Sequence, residues 1–466
     1  MPDFTNLSNI LQYLENKDLK IFFSGIGGIS MSAIAAALHH IGYKVCGSDS
    51  NNDAVTVKKL RELGIEVYIP YKSENVSGDC DLLVYMARIK EDNPEIIRAK
   101  ELNIPIIKRA QMLGALMSGY KTSVGISGTH GKSSVTSMTS EIFMQAKTDP
   151  TIFSGAIYPP INSAYKIGNG DYCLVESCEY ADSFLSFHPD IAVILNLEMD
   201  HPDYFKDLNH MISSFERFLD NTSETAIINL DDENAVRAAK NFKGEIITFS
   251  LKNENADIFV NNIDYKNILP EFDITAKGEN YAHVKFSVPG EFNIYNAAAA
   301  ASIAYACGID GKYVEAGLNI FKGAGRRFEY KGALKSNGAK VYDDYAHHPT
   351  EVEKTVTEIQ KIAKENNGKL WYVFQPHTYS RTRELLDDFY GALSHAENLI
   401  LTEIYSANEK NIYDISSKDI AARLNNCVFI EKFEEIAEYL KKNAAEDDLI
   451  IVTGAGDINN LTKMLV

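Results

Sequence analysis

The sequence predicts an α/β protein with three parallel-sheet domains, on three observations. A short β-branched or aromatic run ends in a polar or glycine-rich cluster and gives way to a helical pattern, and this unit recurs along the chain. Such recurrence is the pattern of βαβ units. Two interruptions rich in glycine and charge, "LMSGYKT" near residue 119 and "FKGAGRRFEYKG" near residue 326, cut it into three blocks. The length of 466 residues also exceeds what one core holds, giving roughly three domains at about 150 residues each. The expected domains are residues 1–119, 120–325 and 326–466.

The first block carries the unit at "KIFFSGIGGIS", "YKVCGSDS", "IEVYIPY", "DLLVYMARIKED" and "IPIIKRAQML". Gly25, Gly27 and Gly28 follow the first strand and open a helix, and Asp49 ends the second strand. This is nearly a dinucleotide fingerprint, so the block reads as Rossmann-like, although Ser30 stands where the third glycine is usual. Read alone, it favours NAD and an oxidoreductase that also carries an ATP-binding domain.

The second block shows the unit at "SVGISGTHGKSS", "YCLVESCEYADS", "IAVILNLEMDHPD" and "TAIINLDDEN". Gly125, Gly128 and Gly131 allow backbone N–H groups to turn toward an anion. Lys132 supplies a charge, and Ser133 opens a helix with an electropositive start. A nucleoside triphosphate with Mg2+ suits this loop, whose spacing departs from GxxxxGK[ST] because residue 126 is Ile. Magnesium prefers oxygen ligands and keeps several waters, so few protein groups are needed. Ser133, Glu176, Asp200 and His201 all follow strands of this block. Shorter alternating runs between residues 245 and 290, such as "AHVKFSVPG", suggest an antiparallel appendage.

The third block continues at "AKVYDDYAHHP", "KLWYVFQPHTYSRT", "NLILTEIYSANE" and "DLIIVTGAGD". In all three blocks the chemically rich residues come straight after strands, where open α/β sheets bind ligands. The net charge of -18 opposes binding to nucleic acid or anionic lipid, and no apolar run approaches the ~20 residues that span a bilayer. With no signal-peptide pattern at the start, the chain reads as cytoplasmic. Six cysteines without CxxC spacing read as reduced, mostly buried thiols. His39, His40, His188, His210, His283 and His395 lack surrounding motifs and read as structural, and Trp371 reads as core.

Seven strings, "GTHGKS", "NLEMDHPDYF", "GEFNIYNAAAA", "GAGRRFE", "DDYAHHPTEV", "FQPHTYSRT" and "GAGD", occur in this order, and together they resemble the Mur ligase family over nearly the whole chain. The resemblance implies a Rossmann-like N-terminal domain for the UDP-sugar, a central P-loop ATPase-like domain for ATP and Mg2+, and a C-terminal Rossmann-like domain that closes over ATP and brings the amino acid. It implies an ATP-dependent amide synthase of peptidoglycan precursor assembly. The leading "GIGGISMS" resembles members that join L-alanine to UDP-N-acetylmuramate.

By motif position, the resemblance places Gly128, Thr129, His130, Gly131, Lys132, Ser133, Ser134, Asn293, Asn296, Arg327 and Asp344 at ATP. It places Ser133, Glu176 and His201 at the metal, and Gly25, Gly27, Gly28, Ile29, Ser30, Asp49, Ser50, Arg109 and His201 at the UDP-sugar. Tyr345, His347 and Arg381 fall to the amino acid side, the arginine because a guanidinium fork matches a carboxylate. Lys132, Arg327, His347 and Arg381 are the expected catalytic set, and His348 is either catalytic or a helix cap. A monomer or dimer is expected, with no nucleic-acid or membrane partner. Rival readings are a ligase that recycles a preformed tripeptide, folylpolyglutamate synthase, the NAD enzyme above, and a nucleotide-gated scaffold without activity.

Overall fold

The computed structural model describes residues 4, 6–86, 89–201, 204–266, 269–365, 367–407 and 409–466. Ala87 and Arg88 of "DLLVYMARIKED", Pro202 and Asp203 of "NLEMDHPDYF" and Asn408 of "NLILTEIYSANE" lie outside the described residues. The chain divides into two compact units. One comprises Met1–Phe259, Thr275–Glu279 and Ala298–Val314, and the other Val260–Ile274, Asn280–Ala297 and Glu315–Val466.

In the first unit, β1 (Lys20–Ser24), β2 (Lys44–Ser48), β3 (Glu66–Tyr68), β4 (Leu82–Tyr85) and β5 (Ile106–Lys108) form a parallel sheet in the order β3-β2-β1-β4-β5. The order reverses between β1 and β4, which puts a crevice beyond their carboxyl ends. "GIGGIS" enters that crevice directly after β1.

A second sheet of the same unit contains β6 (Thr122–Ser127), β7 (Thr151–Tyr158), β8 (Ser163–Lys166), β9 (Tyr172–Glu176), β10 (Ile191–Ile194), β11 (Thr225–Asn229) and β12 (Glu245–Ser250). Their order is β12-β11-β10-β6-β9-β7-β8, with β7 and β8 antiparallel and the other pairs parallel. Central β6 is buried from Ser123 to Ser127, as a strand covered on both faces must be. The helix Lys132–Gln145 that follows buries hydroxyls as well as apolar groups. Thr136 and Ser140 manage this by donating to carbonyls four residues earlier, at 2.9 and 2.6 Å.

One hydrophobic cluster runs from Ile21 and Ile34 through Leu113 to Phe184, Phe215 and Phe218, so both sheets of this unit share a core. Gly114 permits it: a Cβ there would lie 2.0 Å from the Ser186 carbonyl oxygen. The interruption near residue 119 is therefore a change in chain pattern and not a gap in packing.

Most of β13 (Ile258–Lys266), β14 (Leu269–Ala276) and β15 (Glu279–Lys285) belongs to the second unit, with neighbours in the order β15-β14-β13. Residues of β14 alternate between half-buried and buried, as expected for a sheet with one wet face. The main sheet of this unit has β16 (Glu329–Ala333), β17 (Lys340–Asp344), β18 (Leu370–Phe374), β19 (Asn398–Leu401), β20 (Cys427–Phe429) and β21 (Leu449–Thr453) in the order β16-β17-β21-β18-β19-β20. Only β16 runs antiparallel to its neighbour. Trp371 belongs to its core and donates from the indole to Asp448 at 2.8 Å.

The cysteines are unpaired thiols, and Cys46, Cys80 and Cys173 are buried while the other three are half-buried. Among the described residues, no helix is long and apolar enough to cross a membrane.

Candidate active site

The phosphate-loop candidate lies between β6 and the helix Lys132–Gln145. Gly128 and Gly131 have φ of 141° and 87°, in the region that favours glycine. Gly131 is also the helix N-cap, and no side chain competes for the first helical N–H groups. Asn196, after β10, braces the loop: it accepts from Thr129 N through its carbonyl at 2.9 Å and from His130 N through its side chain at 2.8 Å. Thr129 Oγ1 donates to the Glu198 carbonyl at 3.0 Å. The turn is thus held in shape before any ligand arrives.

Lys132 folds back over this loop, donating to the carbonyls of Gly128 and Thr129 at 2.5 and 3.1 Å and to Glu179 at 3.1 Å. Glu179 is completely buried. Burial is the largest influence and would lower the lysine pKa, but the charge and hydrogen bond of Glu179, with smaller contributions from Cys178 and Glu176, together hold the ammonium above its ordinary value. Ser133 and Ser134 are buried at the start of the helix.

Glu179, Asp200 and His201 form a group whose candidate ligand atoms all lie within 4.8 Å of one another. His201 Nε2 is 3.7 Å from Asp200 and 4.0 Å from Glu179, and its ring packs on Tyr180 at 4.8 Å. Two carboxylates and one imidazole suit a hard divalent cation that keeps waters in its remaining positions. Of the expected metal residues, His201 is in this group. Glu176 instead ends β9 with its carboxylate accepting from Gly155 N at 2.8 Å, against a glycine whose Cβ would lie 2.6 Å from it. Glu179 escaped the sequence reading, for the turn that delivers it relies on left-handed Ala181 and Asp182, which no glycine announces.

At the first sheet, Gly25 N and Ile26 N donate to the Ser48 carbonyl, both at 2.9 Å. Asp49 accepts from Gly27 N at 2.8 Å through one oxygen and from Ser50 N and Asn51 N at 2.8 and 3.1 Å through the other. A dinucleotide fingerprint needs this carboxylate for a ribose diol, whereas here it shapes the turn itself. Ser30 accepts from Arg109 at 2.8 Å, and burial lowers the Arg109 pKa. Gly28 caps the helix Ile29–His40 without a side-chain bond, leaving Ile29 and Ser30 in its electropositive first turn. Ser50 is exposed beside Asp49.

In the second unit, Arg327 and Arg326 each stand 5.0 Å from the centre of the Tyr345 ring. Arg327 pairs with Glu351 at 3.7 Å, and Asp344 accepts from Phe328 N at 3.3 Å. Burial pushes the Asp344 carboxyl up to about 6 against the opposing charge of Arg327. His347 Nδ1 faces the Tyr345 carbonyl at 3.0 Å, and its ring meets those of Tyr345 and His377. Burial, aided by the charge of Arg381, pulls His347 down to about 4. His348 serves as a cap: its Nδ1 accepts from Thr350 N at 3.4 Å at the start of the helix Pro349–Glu365. Arg381 lies on the helix Tyr379–Glu384, anchored by Glu409 through Ser380 N and Oγ at 3.1 and 2.7 Å. Asn293 and Asn296 are buried, with Asn293 donating to the Pro289 carbonyl at 2.7 Å and Asn296 donating to Asn293 at 3.3 Å.

Comparison with known proteins adds to this geometry. Residues 20–121 match the model of the Mur ligase family, catalytic domain; residues 126–304 that of the Mur ligase middle domain; and residues 326–456 that of the Mur ligase, glutamate ligase domain. The chain is 43% identical over 454 residues to a UDP-N-acetylmuramate--L-alanine ligase of Caldicellulosiruptor saccharolyticus, covering 96% of this chain and 98% of the relative. It is 42% identical over 459 residues to the enzyme of that description from Acetivibrio thermocellus, covering 97% and 96%. The crystal structure of a UDP-N-acetylmuramate-alanine ligase from Thermotoga maritima superposes with a TM-score of 0.76 at 28% identity, covering 96% of this chain and 98% of that one. A murein peptide ligase from Psychrobacter arcticus shares the fold, with a TM-score of 0.66 at 21% identity over 96% and 98%.

Proposed function

Since the chain belongs to the Mur ligase family, we propose that it joins L-alanine to the lactyl carboxylate of UDP-N-acetylmuramate at the expense of ATP, releasing ADP and phosphate. It is a ligase that forms a carbon–nitrogen bond. The observation that carries the reading is Lys132 at the mouth of a braced glycine loop, beside two carboxylates and a histidine.

A carboxylate does not lose oxide to an amine at neutral pH, so it must first be activated. In this reading the sugar acid attacks the γ-phosphoryl group of ATP, and an acyl phosphate forms as ADP leaves. The alanine amine then adds to the acyl carbon and expels phosphate. Phosphoryl transfer asks the protein mainly for positioning and charge neutralisation. Lys132 and the N–H groups of the loop through Ser134 supply both at the β and γ phosphates. Magnesium bound by His201 with neighbouring carboxylates would neutralise phosphate charge. Ser133 and Glu176 are its further proposed ligands.

Gly25–Ser30, Asp49, Ser50 and Arg109 hold the UDP-sugar, with diphosphate oxygens met by the N-terminus of the helix Ile29–His40. Asn293 and Asn296 serve the adenine, and Asp344 and Arg327 the rest of ATP. His347 acts as an acceptor. Its Nδ1–H donates to the Tyr345 carbonyl, which leaves neutral Nε2 to accept from the alanine amine. Arg381 takes the alanine carboxylate, and Tyr345 lines the same end.

The test is phosphate release by the full chain with UDP-N-acetylmuramate, ATP and each amino acid in turn. Release with L-alanine well above that with glycine or serine supports the reading, and release that ignores the amino acid refutes it.

A further inference from the structure

The ammonium of Lys132 has three protons, and the structure accounts for all three inside the protein. Two go to the loop's own carbonyls, and the third goes to Glu179, whose second oxygen is also 3.0 Å away. Glu179 is not a mobile surface acid. It is fully buried and is followed by a turn with Ala181 and Asp182 in left-handed conformation. Asp182 in turn accepts from Arg217 at 2.5 Å and from Ser214, both on the helix Leu208–Asp220. The carboxylate is therefore presented to Lys132 by a fixed piece of structure.

A lysine so engaged cannot also neutralise a nucleotide's terminal phosphate. A buried carboxylate, for its part, is left costly if the lysine simply departs. The second neighbour of Glu179 is the group at Asp200 and His201. Resting on the proposed role of this loop, we propose that Glu179 holds Lys132 in place of the nucleotide's terminal phosphate, and so weakens nucleotide binding until a divalent cation takes up the carboxylate. The same oxygens serve the lysine in one state and the cation in the other. Cation and nucleotide thereby favour each other's binding, and the coupling is reciprocal.

Calorimetric titration of the full chain with a non-hydrolysable ATP analogue, in EDTA and in Mg2+, tests this. In EDTA, Glu179→Gln should bind the analogue at least ~10-fold more tightly than the unaltered chain, since its lysine has no carboxylate to leave. Addition of Mg2+ should then improve the variant's affinity less than it improves the parent's. Glu179→Asp, which keeps the charge but shortens the reach, should show the same change in smaller measure and serves if the glutamine variant does not fold. Metal-free affinity equal to or weaker than the parent's in a folded variant overturns the proposal. Lys132→Ala separates the two levels. If in Mg2+ it binds the analogue as well as the parent does, the loop reading fails along with the inference; if it loses binding in Mg2+ while Glu179→Gln in EDTA stays at the parent's affinity, the inference alone fails.

Discussion

Ser48 Oγ donates to the fully buried carboxylate of Glu95 at 2.6 Å, and the same Glu95 oxygen accepts from Ser24 Oγ at 2.6 Å. The other oxygen accepts from Asn75 at 2.9 Å and from Lys72 N at 3.4 Å. Ser24 ends β1, Ser48 ends β2, Lys72 and Asn75 follow β3, and Glu95 itself opens the helix after β4. One acid thus ties the carboxyl ends of β1 and β2 to the segment after β3 and to the helix after β4, beside the proposed UDP-sugar crevice. Glu95→Ala should cost about 2–4 kcal/mol of stability, measured by urea unfolding, because buried donors lose their acceptor. It should also raise the KM for UDP-N-acetylmuramate more than that for ATP.

Asp49 gives a second prediction. Its carboxylate accepts from the N–H groups of Gly27, Ser50 and Asn51 and so shapes the turn proposed to hold the UDP-sugar; UDP-N-acetylmuramate should therefore raise the melting temperature and NAD should not. Asp49→Ala should abolish most of the shift given by the UDP-sugar. A shift with NAD on the unaltered chain would contradict this assignment.

Lys132→Ala removes the charge proposed to face the β and γ phosphates and leaves Glu179 buried without its partner. Phosphate release should fall by at least ~100-fold in kcat/KM. Stability should drop by on the order of 3 kcal/mol, since breaking a buried pair strands one charge.

His347 makes stability depend on pH in a defined direction. Burial lowers its pKa from 6.5 to about 4. Above pH 6.5 the imidazole is neutral in folded and unfolded chains and contributes nothing. Between pH 6.5 and 4 the unfolded chain binds a proton that the folded site refuses, so stability falls on acidification, by up to about 3 kcal/mol at pH 4. His347→Gln should flatten this part of the stability curve, measured by urea unfolding between pH 7.5 and 4.5. An unchanged slope would place the histidine's ordinary protonation inside the folded protein.

The phosphate loop was legible because it is written in glycines, and a positive φ at Gly128 and Gly131 leaves few alternatives to that residue. The three βα blocks were legible because strands buried on both faces read as unbroken apolar runs. Glu179 was not, because the left-handed turn beside it is carried by Ala181 and Asp182, with no glycine to mark it. Glu351, which accepts from His347 N at 3.1 Å and pairs with Arg327, carried a weak signal in lying four residues after His347 at the start of a helix. The core shared by the first two sheets depends on Gly114 meeting Ser186, a contact between residues far apart in the chain that no local pattern contains.

Activation of the sugar acid by ATP is the central claim, and isotope transfer reads it directly. UDP-N-acetylmuramate labelled with oxygen-18 in the lactyl carboxylate should deliver one labelled oxygen to inorganic phosphate for each molecule of product made with L-alanine. Phosphate that carries no label while product accumulates would mean that no acyl phosphate forms, and would contradict the mechanism.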